Sequence, residues 1–415
     1  MAMKKKPVTG MKDILPEEME LRDYLIGIIK DTYRSFGFTP METPCVEHIE
    51  NLTSKQGGDN EKLIFKILKR GEKLKIDEAR EENDLADSGL RYDLTLPLTR
   101  YYANNAAQLP QPFKALQIGS VWRADRPQKG RFRQFTQCDI DILGEASSLA
   151  EIELITATGT ALKRICPDNS FTVRVNDRRI LRALVSWAGF PEDAADSVLI
   201  TLDKMDKIGE EGVKKELMEN GYAGSAADRY LSLLATLGTD ADTVRSLADT
   251  LGEHLESGTA ENLAGIMGAA SAVTGGAFTI AFDPTLVRGM GYYTGTIFEV
   301  SMEGFGGSVA GGGRYDRMVG RFTGQDTPAC GFSIGFERII TILLDSGFKI
   351  PGQREKKAFL FDKKLSGEKI AEVLKAAAEA RAEGADVLVA RMAKNKKFQR
   401  EQLQAQGYSE FRDFV

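Results

Sequence analysis

Segments with strand periodicity lie on both sides of a long helical block, and this order constrains the fold more than any other feature of the sequence. Before the block, polar and apolar side chains alternate in four segments: 90–98, 113–124, 133–144 and 171–177. Residues 180–265 have helical periodicity, after which strand-like segments return: 278–283, 295–302, 306–313 and 329–334. Alternating strand–helix units would not group the strands in this way. The sequence therefore predicts an α+β domain with a mostly antiparallel sheet and an inserted helical module.

The two ends of the chain add a long helix and a small second domain. Residues 17–36 carry apolar side chains at helical spacing, and Gly37 follows as a typical helix stop. After residue 351, short apolar strands alternate with two helices, in the order 358–362, 366–382, 386–391, 394–405 and 409–415. Strands separated by helices usually pair in parallel. We therefore expect two domains: residues 1–350, with a helical insertion at about 180–265, and a small C-terminal α/β domain at 351–415.

The charge balance argues against a generally basic nucleic-acid-binding surface. The chain has 55 Lys and Arg against 60 Asp and Glu, a net charge of −5, so any polyanion site must be local. Its four cysteines are widely spaced and it has two histidines, which offers little for a Cys/His zinc site. We find no secretory leader, and no apolar run of the roughly 18 residues that a membrane span needs. The expectation is a cytoplasmic protein without membrane contacts.

A local polyanion site is predicted by the stretch RADRPQKGRFRQFTQCDIDIL, residues 123–143. Five of its first eleven residues are basic, and they connect two segments with strand periodicity. Arginine can grip phosphate through two parallel hydrogen bonds, so the spacing fits a hairpin folded over a polyphosphate. The alternative interpretation is a charged hairpin tip that is simply solvated.

Behind this hairpin, alternate residues of the second strand should share one face. That face carries an aromatic ring, an amide and two carboxylates: Phe135, Gln137, Asp139 and Asp141. Such groups are costly to bury unless a ligand or basic partners meet them. In LRYDLTL, a second strand is expected to present polar residues in the same way: Arg91, Asp93 and Thr95. The two strands would line one pocket.

The segment LVRGMGYYTGTIFEV, residues 286–300, places one arginine before a Gly-x-Gly and two tyrosines. Glycine lets the backbone pass close to a ligand, and tyrosine hydroxyls can orient a polar group in an apolar wall. Arg288, Tyr292 and Tyr293 are therefore candidate binding residues. The alternative is a tight turn with core tyrosines.

Two further segments point to a flat, anionic ligand. GFGGSVAGGGRYD, residues 304–316, is rich in glycine but follows neither the Rossmann order nor the P-loop pattern, so we interpret it as a glycine strand over which a flat ligand lies. In GFERI, residues 335–339, Arg338 falls in the first turn of an apolar helix. A cation there is unfavourable against the helix dipole unless an anion neutralises it.

These segments, in this order, resemble the class II aminoacyl-tRNA synthetases, and within them the histidyl-tRNA synthetase family. GMKDILP, the following helix and FTPMETP are similar to the N-terminal signature and the dimer-forming first motif. VWRADRPQKGRFRQFTQCDIDILG resembles the second motif, ACGFSIGFERI the third, and LVRGMGYYTGTIFEV the histidine-specific loop. The likeness extends over about residues 8–345 and implies the class II catalytic fold, followed by a short anticodon-binding-like domain.

The resemblance implies a role for each candidate residue. Arg123 would hold the ATP α-phosphate and the histidine carboxylate, and Arg288 would neutralise α-phosphate charge where other class II enzymes use a metal ion. The rest of ATP would be bound by four residues: Asp125 at adenine, Phe135 stacked on the base, and Arg131 and Arg338 at the outer phosphates. Histidine would be bound by the remaining six: Asp93, Thr95 and Gln137 at its α-amino group, and Asp141, Tyr292 and Tyr293 at its imidazole.

The implied activity is that of a histidine–tRNA ligase, which activates histidine with ATP to histidyl adenylate and transfers it to tRNA(His). ATP is a substrate, and Mg²⁺ is expected with the triphosphate, although no metal ligands are assigned. The first motif implies a homodimer. The alternative is a regulatory paralogue that binds histidine and controls ATP phosphoribosyltransferase without making the adenylate.

Overall fold

The computed structural model describes residues 3–53, 59–128, 130–288 and 292–415. The chain forms two compact units. The larger comprises Met1–Asp13 and Leu25–Ser346, and the smaller comprises Ile14–Tyr24 and Gly347–Val415. The first half of the long N-terminal helix thus belongs to the smaller unit.

The strands are numbered in chain order. Those of the first half are β1 (Thr39–Pro40), β2 (Val46–His48), β3 (Lys66–Leu68), β4 (Ala86–Leu90), β5 (Phe113–Trp122), β6 (Gln134–Leu143) and β7 (Phe171–Asp177). Those of the second half are β8 (Thr279–Phe282), β9 (Thr296–Met302), β10 (Ser308–Arg314), β11 (Ala329–Ile334), β12 (Lys356–Phe361), β13 (Asp386–Arg391) and β14 (Tyr408–Phe414).

The α-helices are numbered in the same way. The first seven are α1 (Pro16–Ser35), α2 (Ile49–Leu52), α3 (Thr95–Asn105), α4 (Leu149–Ile165), α5 (Arg178–Ala188), α6 (Ala195–Leu202) and α7 (Met205–Glu219). The others are α8 (Gly224–Leu234), α9 (Ala241–Leu251), α10 (Thr259–Thr274), α11 (Arg317–Thr323), α12 (Phe336–Asp345), α13 (Gly367–Ala382) and α14 (Lys396–Ala405). Among the described helices, none is both long and apolar enough to cross a membrane.

The larger unit is built on an eight-stranded mixed sheet with the order β1-β5-β6-β11-β10-β9-β7-β8. The outermost pairs, β1 with β5 and β7 with β8, are parallel, and the pairs between them are antiparallel. A parallel neighbour needs a long crossover connection, which the helices α5 to α10 provide between β7 and β8. A second, three-stranded sheet has the order β2-β4-β3.

One face of β6 is part of the apolar core. Cys138, Ile140 and Ile142 on that face are buried, as the alternation of the sequence predicts. Helix α4 contacts β6 and β11 and contributes buried side chains that include Leu154 and Leu162. The opposite face of β6 is thereby left to carry the polar residues.

Residues 180–265, which were predicted to be helical, form the helices α5 to α9, the start of α10 and the short connections between them. Helix α5 begins where the side chain of Asp177 accepts a hydrogen bond from the backbone N–H of Arg179, and it ends at Gly189 with a φ of 97°. An acceptor at the N-cap and a left-handed glycine after the last turn are typical helix boundaries.

The smaller unit contains a three-stranded sheet of order β13-β12-β14, in which both pairings are parallel. This confirms the parallel pairing predicted from the alternation of strands and helices. The Ser366 side chain caps α13 by accepting from the N–H of Lys369. Within this unit, Glu20 of α1 forms an ion pair of 2.6 Å with Lys356 of β12.

The expectation that residues 90–98 form one strand is wrong. Strand β4 ends at Leu90, and helix α3 begins at Thr95. Leu94 and Leu98 are buried one helical turn apart, so the alternating leucines reflect a helix start, and Pro97 is tolerated because it lies in the first turn. Asp93 accepts a hydrogen bond of 3.0 Å from the backbone N–H of Leu96 and thus serves the start of this helix.

Candidate active site

All twelve site residues predicted from the sequence line one cavity of the larger unit, with a volume of about 730 Å³. Its floor is the polar face of the central strands β6, β11 and β10. Its walls come from the hairpin between β5 and β6, from the start of α3, from the segment before β9 and from the first turn of α12. Residues 289–291 of that segment, which include the Met290–Gly291 pair, and Lys129 of the hairpin lie outside the described residues.

One side of the cavity carries a group of arginines. Burial, followed by the neighbouring guanidinium groups of Arg288 and Arg131, lowers the pKa of Arg338. Arg338 therefore interacts with two further cations, each from a separate segment. Arg338 also donates to the backbone carbonyl of Ser308. Like charges repel, so such a cluster favours an anionic ligand such as a polyphosphate.

Arg123 lies between two aromatic rings. Its guanidinium carbon is 4.2 Å from the ring centroid of Tyr92 and 5.2 Å from that of Phe135, and its Nε donates to the carbonyl of Tyr92 at 3.0 Å. This arrangement fixes a cation at the cavity wall while the rings exclude water from its sides. Asp125 also lines the cavity, and its backbone carbonyl accepts a hydrogen bond of 3.1 Å from Arg133 Nε.

The opposite side of the cavity carries three carboxylates. Burial, followed by the Asp141 carboxylate, raises the pKa of Asp139 well above its ordinary value. Burial also raises the pKa of Asp141 to about 7, although the hydrogen bond from Tyr315 opposes the shift. The pKa of Asp93 is raised as well, again mainly by desolvation. Carboxylates held in this way favour a ligand that brings positive charge or hydrogen-bond donors.

Two oxygen atoms at this end lack a hydrogen-bond partner among the described residues: Asp141 Oδ2 and Gln137 Oε1. The other Asp141 oxygen accepts from the Tyr315 hydroxyl at 2.6 Å. A buried acceptor without a donor is costly, and both residues line the cavity. The arrangement is therefore suited to a ligand with donor groups.

The tyrosines of the 286–300 segment form an aromatic wall beside the carboxylates. The rings of Tyr292 and Tyr293 meet edge to face with centroids 5.2 Å apart, and Tyr292 also contacts the Tyr315 ring at 5.9 Å. Burial strongly raises the pKa of both Tyr292 and Tyr293, so both hydroxyls keep their protons. They can therefore both donate and accept hydrogen bonds toward a polar ring.

The glycines of strand β10 lie beside side chains of the predicted site, and the flat ligand expected over this strand stays a prediction. A side chain at Gly311 would overlap the Arg288 guanidinium, and one at Gly313 would lie 2.9 Å from the ring of Tyr293. On the neighbouring strand β11, a side chain at Gly331 would overlap the Asp141 carboxylate. The glycines thus give room to the protein's own binding residues.

Arg91 does not belong to the site, in contrast to the expectation that it shares a polar strand face with Asp93 and Thr95. It is buried away from the cavity, and it donates to the backbone carbonyls of Ser120 and Thr43, each at 2.8 Å. The reason is that residues 91–94 leave the strand, so the alternation of faces ends at Leu90.

The sequence did not identify several residues that shape the site. Asp139 was placed on the correct strand face without a role, and Ser333 donates to its carboxylate at 2.5 Å. Tyr315 and Glu299 were not considered, and each contacts a predicted site residue, Asp141 and Arg288 respectively. The alternation of β6 and β9 places Asp139 and Glu299 on the cavity side, but no sequence signal showed which partner each would meet.

Among the described residues, no group of three or more His, Cys, Asp or Glu side chains is arranged to hold a metal ion.

Comparison with known proteins gives one consistent family. A family model described as histidyl-tRNA synthetase matches residues 10–339. The histidine–tRNA ligase of Leifsonia xyli subsp. xyli is 48% identical over 351 residues, which cover 81% of this chain and 80% of that protein. The probable histidine–tRNA ligase of Tropheryma whipplei (strain Twist) is 43% identical over 375 residues, covering 88% of this chain and 85% of that protein.

Solved structures agree with the sequence comparisons. The crystal structure of histidyl-tRNA synthetase from Nostoc sp. PCC 7120 matches with a TM-score of 0.80 and 27% identity, covering 98% of this chain and 90% of that chain. An ATP phosphoribosyltransferase regulatory subunit/histidyl-tRNA synthetase from Bacillus halodurans C matches with a TM-score of 0.77 over 100% of this chain and 99% of that chain. Its identity of 21% shows the fold alone. Given the family model and the close curated relatives, the chain belongs to the histidyl-tRNA synthetase family.

Proposed function

We propose that the chain joins histidine to tRNA(His) in two ATP-dependent steps within the described cavity. One observation carries the proposal: a single cavity holds arginines on one side and, on the other, buried carboxylates of which Asp141 has an oxygen without a partner among the described residues. The first side is suited to a polyphosphate, and the second to the ammonium and imidazole groups of histidine. Histidine–tRNA ligase is also the activity named for the close curated relatives.

In the first step, an oxygen of the histidine carboxylate attacks the α-phosphorus of ATP in line. The bond between the α-phosphorus and the bridging oxygen breaks, and pyrophosphate leaves with that electron pair. Negative charge spreads over the α-phosphate oxygens during this displacement, so Arg123 and Arg288 would stabilise the transition state. No covalent bond to the protein is needed, and the enzyme contributes mainly position and charge.

The ATP molecule would extend from the hairpin to the first turn of α12. We place adenine at Asp125 and on the ring of Phe135, whereas Arg131 and Arg338 would bind the outer phosphates. The repulsion of Arg338 by Arg288 and Arg131 supports this placement because a polyphosphate would relieve it. Mg²⁺ bound to the triphosphate would supply further charge neutralisation.

Histidine would occupy the acidic side. We assign Asp93, Thr95 and Gln137 to its α-amino group, and Asp141 with Tyr293 to the two imidazole nitrogens. Tyr292 would close the pocket over the ring. The unpaired Asp141 Oδ2 supports this assignment, since an imidazole N–H would supply the missing donor. In the second step, the terminal ribose hydroxyl of tRNA attacks the carbonyl of the adenylate, and AMP leaves.

Two assays on the purified chain test the proposed function. Pyrophosphate exchange should depend on histidine, and tRNA(His) should be charged with histidine in the presence of ATP and Mg²⁺. The regulatory paralogue is the alternative that these assays distinguish from a ligase. A chain that binds histidine but supports neither exchange nor charging would favour the regulator.

We assign the class II catalytic domain to residues 1–350, with the helical insertion at about 180–265, and an anticodon-binding role to residues 351–415. The smaller unit offers a basic surface for this role. Lys394, Lys396 and Lys397 are exposed around the start of α14, next to the exposed ring of Phe398. A basic surface with an aromatic ring suits a single-stranded or loop RNA.

Replacing Lys394, Lys396 and Lys397 together with alanine should raise the KM for tRNA(His) and leave histidine-dependent pyrophosphate exchange unchanged. Each lost phosphate contact should lower the salt dependence of tRNA binding by about one unit of slope. The matched control replaces Lys369 and Lys375, exposed on α13 of the same unit. Equal tRNA KM and salt dependence in both variants and the unmodified chain would mean that the α14 lysines are only a solvated surface.

We also propose that the chain acts as a homodimer, because FTPMETP and α1 resemble the dimer-forming first motif of the class. A symmetric interface of this kind would be isologous. Analytical ultracentrifugation at micromolar concentration tests the proposal, and a fully active monomer would contradict it.

A further inference from the structure

A row of cross-strand neighbours runs over the cavity side of the main sheet. In register, Arg174 of β7 lies opposite Glu299 of β9, Glu299 lies opposite Gly311 of β10, and Gly311 lies opposite Ser333 of β11. Residues in one such row project from the same face and can contact one another. The row therefore joins a distant ion pair to the floor of the cavity.

Arg288 lies over the middle of this row. Its Nε is 3.0 Å from Glu299 Oε2, and its guanidinium occupies the space that a side chain at Gly311 would fill. The shortest contact of this ion pair involves Nε, and one terminal nitrogen lies over Gly311. Arg288 thus has a preformed place, defined by a carboxylate on one side and by the missing side chain on the other.

The second oxygen of the Glu299 carboxylate is bound by another arginine, Arg174. Arg174 donates to Glu299 Oε1 through one terminal nitrogen and to Asp283 Oδ2 through the other, the latter at 2.9 Å. Asp283 in turn accepts from the backbone N–H and the hydroxyl of Thr285, at 2.9 and 2.6 Å. Thr285 is three residues before Arg288 in the chain, so the same network fixes the start of the segment that carries Arg288.

From this arrangement we infer that Glu299 is a positioning residue for adenylate formation, acting through Arg288. The inference rests on the proposed role of Arg288 at the α-phosphate. Glu299 directs the guanidinium toward the cavity, and Arg174 shares the charge of Glu299. Because that carboxylate is divided between two arginines, it holds Arg288 in place without cancelling the positive charge that a phosphate meets.

The geometry explains why a carboxylate suits this position, although Glu299 need not contact either substrate. Arginine has many rotamers, and without an ion-pair partner the Arg288 guanidinium would move away from the positive charge of Arg338. A displacement of about 1 Å at a catalytic group can cost about a hundredfold in rate. The expected signature is therefore a lower kcat with nearly unchanged KM values.

Glu299→Gln should lower kcat for histidine-dependent pyrophosphate exchange by about tenfold to a hundredfold, with KM values for ATP and histidine changed by less than about threefold. Adding Glu299→Gln to Arg288→Ala should lower the rate by less than about threefold more, because two residues acting as one unit are not additive. A purely structural Glu299 would lower the melting temperature and add its full effect to that of Arg288→Ala.

A second variant tests the position of Arg288 without changing either residue of the Arg288–Glu299 ion pair. Gly311→Ala should displace Arg288 and reproduce the loss of kcat, and it should have little further effect in the Arg288→Ala background, where the space is vacant. If Glu299→Gln does not fold, Gly311→Ala still tests whether the position of Arg288 limits the rate. The matched control is Asp196→Asn, which removes a carboxylate shared by Arg178 and Arg182 outside the cavity and should leave exchange unchanged.

The outcomes distinguish the proposed role of Arg288 from the proposed role of Glu299. If Arg288→Ala itself retains more than about a tenth of the exchange rate, the proposed role of Arg288 is wrong. If Arg288→Ala is inactive while Glu299→Gln and Gly311→Ala keep the full rate, the positioning role of Glu299 alone is overturned. Additive losses in the double variants would overturn it as well.

Discussion

Arg288→Ala should reduce histidine-dependent pyrophosphate exchange by about a hundredfold to a thousandfold, the usual cost of removing one donor that meets charge developing in a transition state. The residue stands in a cluster with Arg338 and Arg131, and its Nε is bound to Glu299 at 3.0 Å. Because we propose that this charge stabilises the displacement on the α-phosphate, the loss should appear mainly in kcat.

The fold should survive this change. The Arg288 side chain is about one third exposed at the edge of the cavity, and Glu299 keeps Arg174 as a partner. The melting temperature of the variant should therefore stay close to that of the unmodified chain. A matched control is Arg182→Ala, which removes a half-exposed arginine from its ion pair with Asp196 at 2.7 Å, outside the cavity. A loss of less than about tenfold in exchange would leave Arg288 without a catalytic role.

The strands that form the site could be predicted because each is long and regular. The alternation in 133–144 placed Phe135, Gln137, Asp139 and Asp141 on one face, and β6 has this arrangement. Such a pattern is local, and burial of the other face fixes the register. The prediction failed at residues 90–98, where leucines at every second position fit both a strand and the start of a helix.

What the sequence could not show depends on distant partners. Asp141 and Tyr315 are 174 positions apart, and their hydrogen bond exists only because β6 and β10 flank β11. The same is true of the glycine strand. The glycine content of β10 indicated that another group lies close to its backbone. Only the fold shows that Arg288 and Tyr293 fill the space over Gly311 and Gly313. Pairing across a sheet is decided by topology, which local periodicity does not encode.

Asp141→Asn should raise the KM for histidine by about tenfold to a hundredfold, the value of one hydrogen bond to a charged group, and leave the KM for ATP little changed. The amide retains an oxygen for the Tyr315 hydroxyl but loses the charge of Oδ2, which has no partner among the described residues. Neither Arg91 nor Arg133 supplies that partner: Arg91 is bound to backbone carbonyls, and Arg133 donates to the carbonyl of Asp125.

The effect of Asp141→Asn on histidine binding should depend on pH in a defined direction. Burial raises the pKa of Asp141 to about 7, so the ligand-free carboxyl takes up a proton as the pH falls through neutrality. A ligand that donates to the ionised form should bind more tightly as the pH rises from about 6 to 8. The imidazole of free histidine titrates in the same range, but it does so equally in both proteins. The difference between the unmodified chain and Asp141→Asn therefore isolates the contribution of Asp141, and it should grow with pH.

Stability should change in the opposite direction to binding. The pKa of Asp141 in the folded chain lies above the ordinary value of 3.8. Between about pH 4 and 7, the unfolded chain therefore releases a proton that the folded chain keeps. The free energy of unfolding falls as the pH rises through this range. Asparagine cannot ionise, so the ligand-free variant should melt higher than the unmodified chain at pH 8, with a smaller difference at pH 5. Asp196→Asn, at an exposed carboxylate outside the cavity, should show neither effect. If the variant melts lower at pH 8 and loses affinity for ATP and histidine equally, Asp141 is instead a residue that supports the fold. A residue that binds histidine lowers the stability of the empty site, and ligand binding restores that stability.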